Sequence, residues 1–373
     1  MTEGGRLALV VDSLNVGGAE RLVVESAACL SQRGWTVTVV ALADAPSLPG
    51  GEVMVRPPTA VVRVPTARRR ELADVGRIRR LAAVLRRGQF DLVHTHLGTA
   101  NIVGLAAARL AGIPSVATVH IAVEPQRHVR LRRGIETFAL RFLARAVVGV
   151  GPSVAQATEA RLHRTVVALP NAVGAPAVLT AEERVRIRQA LVGDAGRPVV
   201  VAVGRLMPVK GWRDLLEAFR STLDAVPAGR LLIVGEGPQR QELEASIAEM
   251  GLHASVRLLG LRADVPEVLA ASDLYVSASH DEGMSLALLE AMAAGLPVVV
   301  TDVGDTRAAV PDGAGIVVAP GNPRGLASSM TALLLDPGAR RAAGAIGRRH
   351  VLARYGWPAW ADGMENVYRS VVQ

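Results

Sequence analysis

Two cations, Arg205 and Lys210, stand five residues apart in VGRLMPVKGW, directly after a Val-rich run that reads as a strand. A planar guanidinium fork beside a compact ammonium is well matched to a diphosphate. Two solvated surface cations would satisfy the same spacing, so composition has to weigh in. The chain carries 41 arginines and a single lysine, Lys210, a bias of the kind that GC-rich coding produces. Such pressure erases lysine wherever arginine serves equally well. Its survival at position 210 marks a place where arginine does not.

A second cluster lies in ASHDEGMSLALLEAMAAGLPVVVTD. Glu290 sits between Leu288, Leu289, Ala291 and Met292, where a carboxylate without a partner is costly to bury. Glu282 precedes it by eight residues, a spacing that predicts both carboxylates on one side of a helix. A helix start over Gly283, Met284, Ser285 and Leu286 offers unpaired N–H groups and a positive dipole end suited to phosphate. Taken alone, a glutamate pair at this spacing also suits a salt-bridged surface. In SLNVGGAER, Gly17 and Gly18 open a helix after the first strand and leave backbone N–H groups free for an anion. The spacing is not GxGxxG, so no dinucleotide fingerprint is present, and a plain tight turn is an equal reading. His120 ends a strand in SVATVH and can act as a general base or hydrogen-bond a charged transition state. A core or capping histidine is the alternative there. His94 and His96, in DLVHTHLG, point to one face of a strand, but no third ligand is in evidence, and no metal site is expected.

The elements that must position these residues follow from periodicity. Short β-branched runs alternate with amphipathic stretches through both halves, which predicts open parallel sheets covered by helices. The first half gives strands over Leu7–Val11, Thr36–Leu42, Leu92–Thr95, Val116–Val119, Val147–Val150 and Val166–Leu169. Helical patterns between them cover Ala19–Arg33, Asp74–Arg87, Thr99–Ala111, Arg132–Ala144 and Ser153–Arg161. The second half restarts at Val199–Val203 and continues through Leu231–Val234, Val256–Leu259, Leu274–Ser277, Val298–Thr301 and Ile316–Val318. Continuous runs such as PVVVAVG suit strands buried on both faces. In such sheets ligands bind beyond the carboxyl ends of the strands, which is where the candidate residues fall.

At 373 residues the chain is long enough for two domains. A glycine- and proline-rich stretch near 172–196 predicts the break, with an N-terminal domain over 1–175 and a C-terminal domain over 176–355. The one cysteine, Cys29, excludes an internal disulfide and a cysteine-based zinc site. Net charge is +8 but uneven: residues 1–175 hold 22 arginines against 12 acidic residues, and the remainder 20 basic against 22. The N-terminus has no signal-peptide pattern and no window is apolar enough to span a membrane, so a cytoplasmic protein is expected. Arg77–Arg87 and Arg127–Arg145 mix arginine with apolar residues at helical spacing. This predicts either a peripheral contact with an anionic membrane or a solvated helix face. Aromatic residues make up only 3% of the chain and no RNA- or DNA-binding motif accompanies the charge, so nucleic acid is not an expected partner.

Together these segments resemble the retaining glycosyltransferases of family 4. The matching stretches are SLNVGGAERLV, DLVHTHLGTAN, VATVH, ALPNAV, VGRLMPVKGW, IVGEGPQR, LLGLRADVPEVLAASDLYVS and EGMSLALLEAMAAGLPVVVTDVG, in family order over nearly the whole chain. Ala172 stands where the family often has glycine. The resemblance implies the α/β GT-B fold, two Rossmann-like doubly wound parallel-sheet domains facing a cleft, with residues 356–373 packing back on the first domain. It implies hexosyl transfer from a nucleotide sugar, UDP favoured over GDP, to a hydroxyl acceptor of lipid-linked, glycan or natural-product type, with no cofactor or metal.

By the same resemblance, Arg205, Lys210 and the amides of Gly283 to Leu286 bind the diphosphate. Glu290 takes the ribose hydroxyls, Glu282 the sugar hydroxyls, and Arg262 with Gly235 and Glu236 lies near the base. Gly17 and Gly18 close over the diphosphate, and His120 faces the reacting sugar. A nucleotide-sugar epimerase on the same scaffold would instead change a donor with no acceptor present. A catalytically degenerate partner subunit is opposed by the intact set of Arg205, Lys210, Glu282, Glu290 and His120.

Overall fold

The computed structural model describes residues 4–14, 17–43, 59–64, 75–121 and 130–372. The expected helix start at Asp74, the beginning of the basic stretch at Arg127, and Asn15 and Val16 of the first glycine turn lie outside the described residues. The chain divides into two units, one of residues 1–171 with 357–373 and one of residues 172–356.

The first unit runs β1 (Arg6–Val11), α1 (Gly18–Gln32), β2 (Thr36–Ala41), β3 (Ala60–Arg63), α2 (Val75–Arg87), β4 (Leu92–His96), α3 (Gly98–Ala111), β5 (Ser115–Val119), α4 (Arg130–Phe142), β6 (Ala146–Gly149), α5 (Pro152–Leu162) and β7 (Val167–Ala168). Its strands pair in parallel in the order β3-β2-β1-β4-β5-β6-β7. β1, β4 and β5 are buried almost throughout, as strands covered by helices on both faces are, and β4 carries His94 and His96 into that interior. The edges differ from expectation. β3 carries no periodic signal and is a short half-exposed edge strand, while β7 keeps only two residues of the expected Val166–Leu169.

The second unit runs α6 (Ala181–Val192), β8 (Val199–Val203), α7 (Trp212–Thr222), β9 (Arg230–Val234), α8 (Arg240–Glu249), β10 (Val256–Gly260), α9 (Val265–Ala271), β11 (Leu274–Ser277), α10 (Leu286–Ala293), β12 (Val298–Thr301), α11 (Thr306–Ala309), β13 (Gly315–Val318), α12 (Pro323–Leu335) and α13 (Pro337–Arg354). Its parallel sheet has the order β10-β9-β8-β11-β12-β13. Thr180 starts α6 with a capping box, its side chain accepting from Glu183 N while Glu183 returns to Thr180 N.

In both sheets the strand order reverses beside the first strand, between β1 and β4 and between β8 and β11. Within each sheet, the loops leaving these two strands flank the crevice in which such a sheet takes ligands. Both units are thus Rossmann-like α/β domains.

The last helix, α14 (Trp357–Val372), belongs to the first unit. Trp360, Ala361, Met364, Val367, Tyr368 and Val371 recur at helical spacing on its buried face. Arg33, at the end of α1, clamps it by donating to Asp362 at 2.5 Å and to both Glu365 oxygens at 3.0 and 3.1 Å. Trp35 Nε1 adds a bond to Glu365 at 3.3 Å.

Candidate functional site

In the second unit the site grows from the turns after β8 and β11. After β8 the backbone passes Gly204 and Arg205 into a 3-10 turn over Pro208–Lys210, closed by Gly211 at φ 62°. A Cβ at Gly211 would lie 2.1 Å from the carbonyl oxygen of Ala278, so only glycine lets the two turns touch. His280 N donates to Val209 O at 2.7 Å and His280 Nε2 meets Asp214 at 2.9 Å, tying the two turns together. Gly235 is needed for a similar reason: its Cβ would fall 1.9 Å from Gly204 O.

This scaffold brings Lys210 and Glu282 into an ion pair, with the Lys210 ammonium donating to Glu282 Oε1. Ser279 Oγ donates to the same oxygen at 3.0 Å, and Thr301 Oγ1 fixes the Ser279 carbonyl at 2.6 Å. Both charged side chains remain partly accessible, 22% for Lys210 and 16% for Glu282, so the pair can meet a ligand. The Arg205 guanidinium is exposed and has no ion-pair partner among the described residues, while its carbonyl accepts from Trp212 Nε1 at 3.2 Å.

The two glutamates do not share the helix that their eight-residue spacing predicts. Glu282 is not on a helix. α10 begins at Leu286 with Ser285 as its N-cap, accepting from Leu288 N, so only Glu290 is helical. Gly283, Met284 and Ser285 belong to the loop ahead of the helix, and Gly304 packs beneath it, where a Cβ would come within 2.3 Å of the Gly283 carbonyl oxygen. Leu286 and Ala287, at the helix start, have N–H groups without an intrahelical acceptor.

Sequence reading missed Tyr275 on β11. It is buried, and its hydroxyl interacts with Ser285 and Ser277. Burial first, then the Glu282 and Glu290 carboxylates, push its acidity out of the physiological range, so it stays a phenol. A tyrosine in a short buried strand, one of three in the chain, was the available signal. Glu236 and Arg262 behave differently from Lys210, each being paired locally. Glu236 receives Arg240, and Arg262 forks onto Asp264 at 2.7 and 2.5 Å, which holds the Asp264 carboxyl below its ordinary range.

In the first unit Gly17 caps α1 in an extended conformation and Gly18 is its first residue. Asp12, after β1, accepts from Thr99 N at 3.2 Å and Ala100 N at 2.5 Å, closing the start of α3. Burial pushes its carboxyl up, opposed by those two amides and by Arg132. His120 follows β5 and meets His96: His96 Nδ1 and His120 Nε2 are 3.3 Å apart. Sequence spacing paired His94 with His96 but did not show His120 beside them, because strand neighbours are set by sheet order. Burial pushes His94 down to about 3 and His120 to about 4, and lowers His96 in the same direction, so all three are neutral near pH 7. No group of three or more His, Cys, Asp or Glu among the described residues is arranged to hold a metal ion. Gly17, Gly18 and His120 thus lie in the first unit, and every other candidate in the second.

Comparisons with known proteins agree with this layout. The profile for Glycosyltransferase Family 4 matches residues 16–174, and that for Glycosyl transferases group 1 matches residues 197–336. A 2-deoxystreptamine glucosyltransferase of Streptomyces kanamyceticus is 33% identical over 68% of this chain and 70% of its own length. A D-inositol 3-phosphate glycosyltransferase of Thermobispora bispora is 30% identical over 96% of this chain and 91% of its own. Among solved structures, Anabaena HepE in complex with UDP-glucose superposes with a TM-score of 0.85 at 22% identity, covering 98% of this chain and 100% of that one. The sucrose-phosphate synthase of Thermosynechococcus elongatus gives 0.80 at 24% identity, over 98% of each chain.

Proposed function

We propose, for a chain that belongs to the family 4, group 1 glycosyltransferases and transfers sugar from a nucleotide donor, a retaining and metal-independent hexosyl transfer from a UDP-sugar to a hydroxyl acceptor. The observation that carries this reading is the Lys210–Glu282 pair, braced by Ser279 in the turns after β8 and β11. As the bond from the anomeric carbon to the diphosphate breaks, negative charge collects on the departing phosphate. Arg205, Lys210 and the N-terminal amides of α10 supply fixed positive charge to it, the role a metal ion plays elsewhere. Glu282 orients the sugar hydroxyls and Glu290 those of the ribose. Arg262, Gly235 and Glu236 border the base.

In the first unit we assign His120 to a hydrogen bond with the reacting sugar or acceptor, and Gly17 and Gly18 to the diphosphate. Glu282 is engaged by an ammonium and a hydroxyl, which suits a positioning carboxylate better than a nucleophile. Retention then follows from attack on the face that the diphosphate leaves. UDP is favoured over GDP as the nucleotide, with the UDP-glucose complex of HepE as support.

Replacement of Lys210 or Glu282 by alanine should leave folded protein whose transfer rate is at least about 100-fold lower. Full activity in both variants overturns the site, and loss of activity in EDTA overturns metal independence. Donor incubated alone should stay unchanged; conversion to its epimer would favour an epimerase. Selective stabilisation by one nucleotide sugar in a thermal-shift panel identifies the donor.

The location of the acceptor has its own observation. No helix among the described residues is long and apolar enough to cross a membrane. Of the two basic stretches, α2 exposes Val75 and four arginines, Arg79, Arg80, Arg86 and Arg87, and has the character of a solvated face. α4 instead exposes Leu131 (73%), Phe138 (58%) and Phe142 (63%) at helical spacing, with Arg141 stacked over the Phe142 ring. Two of the chain's four phenylalanines are thus turned to solvent among arginines, the pattern of a helix lying on an anionic membrane. Co-sedimentation with phosphatidylglycerol vesicles, weakened by salt and by Phe138→Ser with Phe142→Ser, is the expected result. Equal recovery with anionic and zwitterionic vesicles would remove this reading.

A further inference from the structure

The histidine cluster of the first unit contains more order than a ligand contact needs. His94 is fully buried with both ring nitrogens engaged, Nδ1 with the Tyr368 hydroxyl at 2.8 Å and Nε2 with Thr118 Oγ1 at 2.7 Å. Tyr368 comes from α14 and is itself locked, edge-on to Trp35 at 5.3 Å. The His94 ring lies 4.1 Å from that of His96, and His96 lies 5.5 Å from His120. His96 is 1% exposed, and its Nε2 is buried with no hydrogen-bond partner. Immediately after it, Leu97 adopts φ 74° and ψ 161°, a backbone region that non-glycine residues avoid. Asp12 holds the chain in that state through the amides of Thr99 and Ala100. A strained residue directly after His96 and an orphaned buried nitrogen on its own ring point to an imidazole whose orientation the fold fixes.

The proton count then has two solutions. One proton lies between His96 Nδ1 and His120 Nε2. If His120 donated it, His96 would carry its own proton on Nε2, leaving a buried N–H with no acceptor, the rarer and costlier kind of orphan. If His96 donates it, only a lone pair is left unmatched at His96 Nε2, and the His120 proton must be on Nδ1. Among the described residues His120 Nδ1 has no partner, so that N–H is available. At His94 both ring nitrogens meet hydroxyls, Tyr368 on one side and Thr118 on the other, so the pair anchors the ring against which His96 packs.

We propose that Tyr368, His94 and His96 form a positioning relay that holds His120 with its proton on Nδ1, so that His120 meets its ligand as a hydrogen-bond donor and not as a base. The proposal rests on the assignment of His120 to the sugar or acceptor. It adds which atom acts, in which protonation state, and why the C-terminal helix returns to this sheet.

Long-range proton–nitrogen correlation spectra of the full chain, labelled at its histidines, read the tautomer without an activity assay. The expected pattern for His120, assigned by loss of its signals in His120→Gln, is Nδ1–H near neutral pH. An Nε2–H pattern would overturn the proposal, whatever the kinetics. His96→Leu should shift the His120 signals and lower kcat by about 10- to 100-fold with donor KM changed less than about 2-fold. His96→Asn, whose amide N–H can stand in for Nδ1–H, should recover most of that loss. Tyr368→Phe, lacking only the hydroxyl that anchors His94, should lower kcat by a smaller factor. Wild-type kcat in His96→Leu, or equal losses in His96→Leu and His96→Asn, would refute the relay. Failure of the glycosyltransfer reading is separate: it would appear as unchanged transfer in Lys210→Ala, with the His120 tautomer unaffected.

Discussion

Acidification from about pH 7.5 to about pH 5 should destabilise the first unit, and the size of the effect follows from three buried imidazoles. His94 is 0% exposed, and burial, followed by the nearby His120, pushes it from an ordinary 6.5 down to about 3. Between those values the unfolded chain binds a proton that the native ring refuses. The unfolded state binds more protons, so stability is complete above about pH 6.5 and is lost as pH falls toward the folded value. Each pH unit in that window costs about 1.4 kcal/mol, hence about 2 kcal/mol from His94 at pH 5. His120, pushed to about 4 by burial, acts in the same direction. Its partial exposure reduces its share to about 1 kcal/mol. His96 adds to the same side.

A loss of about 3 kcal/mol or more is a large fraction of the 5–15 kcal/mol typical of a domain. Asp12 has the opposite sign, since its raised carboxyl favours the native state as pH falls, and it partly offsets the histidines at the acid end. The assay is urea unfolding followed by tryptophan fluorescence in Trp212→Phe. This leaves Trp35, Trp357 and Trp360 of the chain's four tryptophans, all in the first unit. His94→Gln should be less stable at pH 7.5 yet lose about 2 kcal/mol less between the two pH values. An unchanged pH slope in His94→Gln would refute the reasoning, as would a flat wild-type profile.

The other predictions concern placement. Lys210→Arg keeps the charge but should lose transfer nearly as severely as Lys210→Ala, about 100-fold, because Lys210 Cε and Cδ pass within 3.6 and 3.7 Å of the Cβ position of Gly204 and leave no room for a planar fork. Steady-state kinetics on the two variants checks this. Gly211→Ala should lower the unfolding midpoint of the second unit by the equivalent of about 2 kcal/mol or more and weaken donor binding, since its Cβ would strike the Ala278 carbonyl. Calorimetry with and without UDP reads both effects. Arg33→Ala should free α14, leaving the buried Glu365 carboxylate short of its main partner at a cost of about 1–3 kcal/mol. Faster hydrogen exchange in peptides of α14, with β8 and β9 unaffected, is the expected result.

What the sequence revealed and what it hid divide along a physical line. Strands buried on both faces announce themselves as apolar, β-branched runs, clearest in β1, β8 and β12, whereas the half-exposed edge strand β3 had no periodic signal to find. Lys210 was legible through composition, because codon bias turned an ordinary cation into an exception. The Glu282–Glu290 spacing located two relevant carboxylates for an incorrect reason: α10 starts at Leu286, and Glu282 is positioned by Ser279 of its own loop and by Lys210, which tertiary structure brings in. Tyr275 and the meeting of His96 with His120 were hidden for the same cause. Neighbours across a parallel sheet are chosen by strand order, here β4 beside β5 and β8 beside β11, and strand order is not written in local periodicity. The tie between Tyr368 and His94 spans 274 positions, and only closure of α14 onto the first unit brings them together. Local pattern therefore located the groups that carry charge, while the neighbours that set their protons and orientations came from topology.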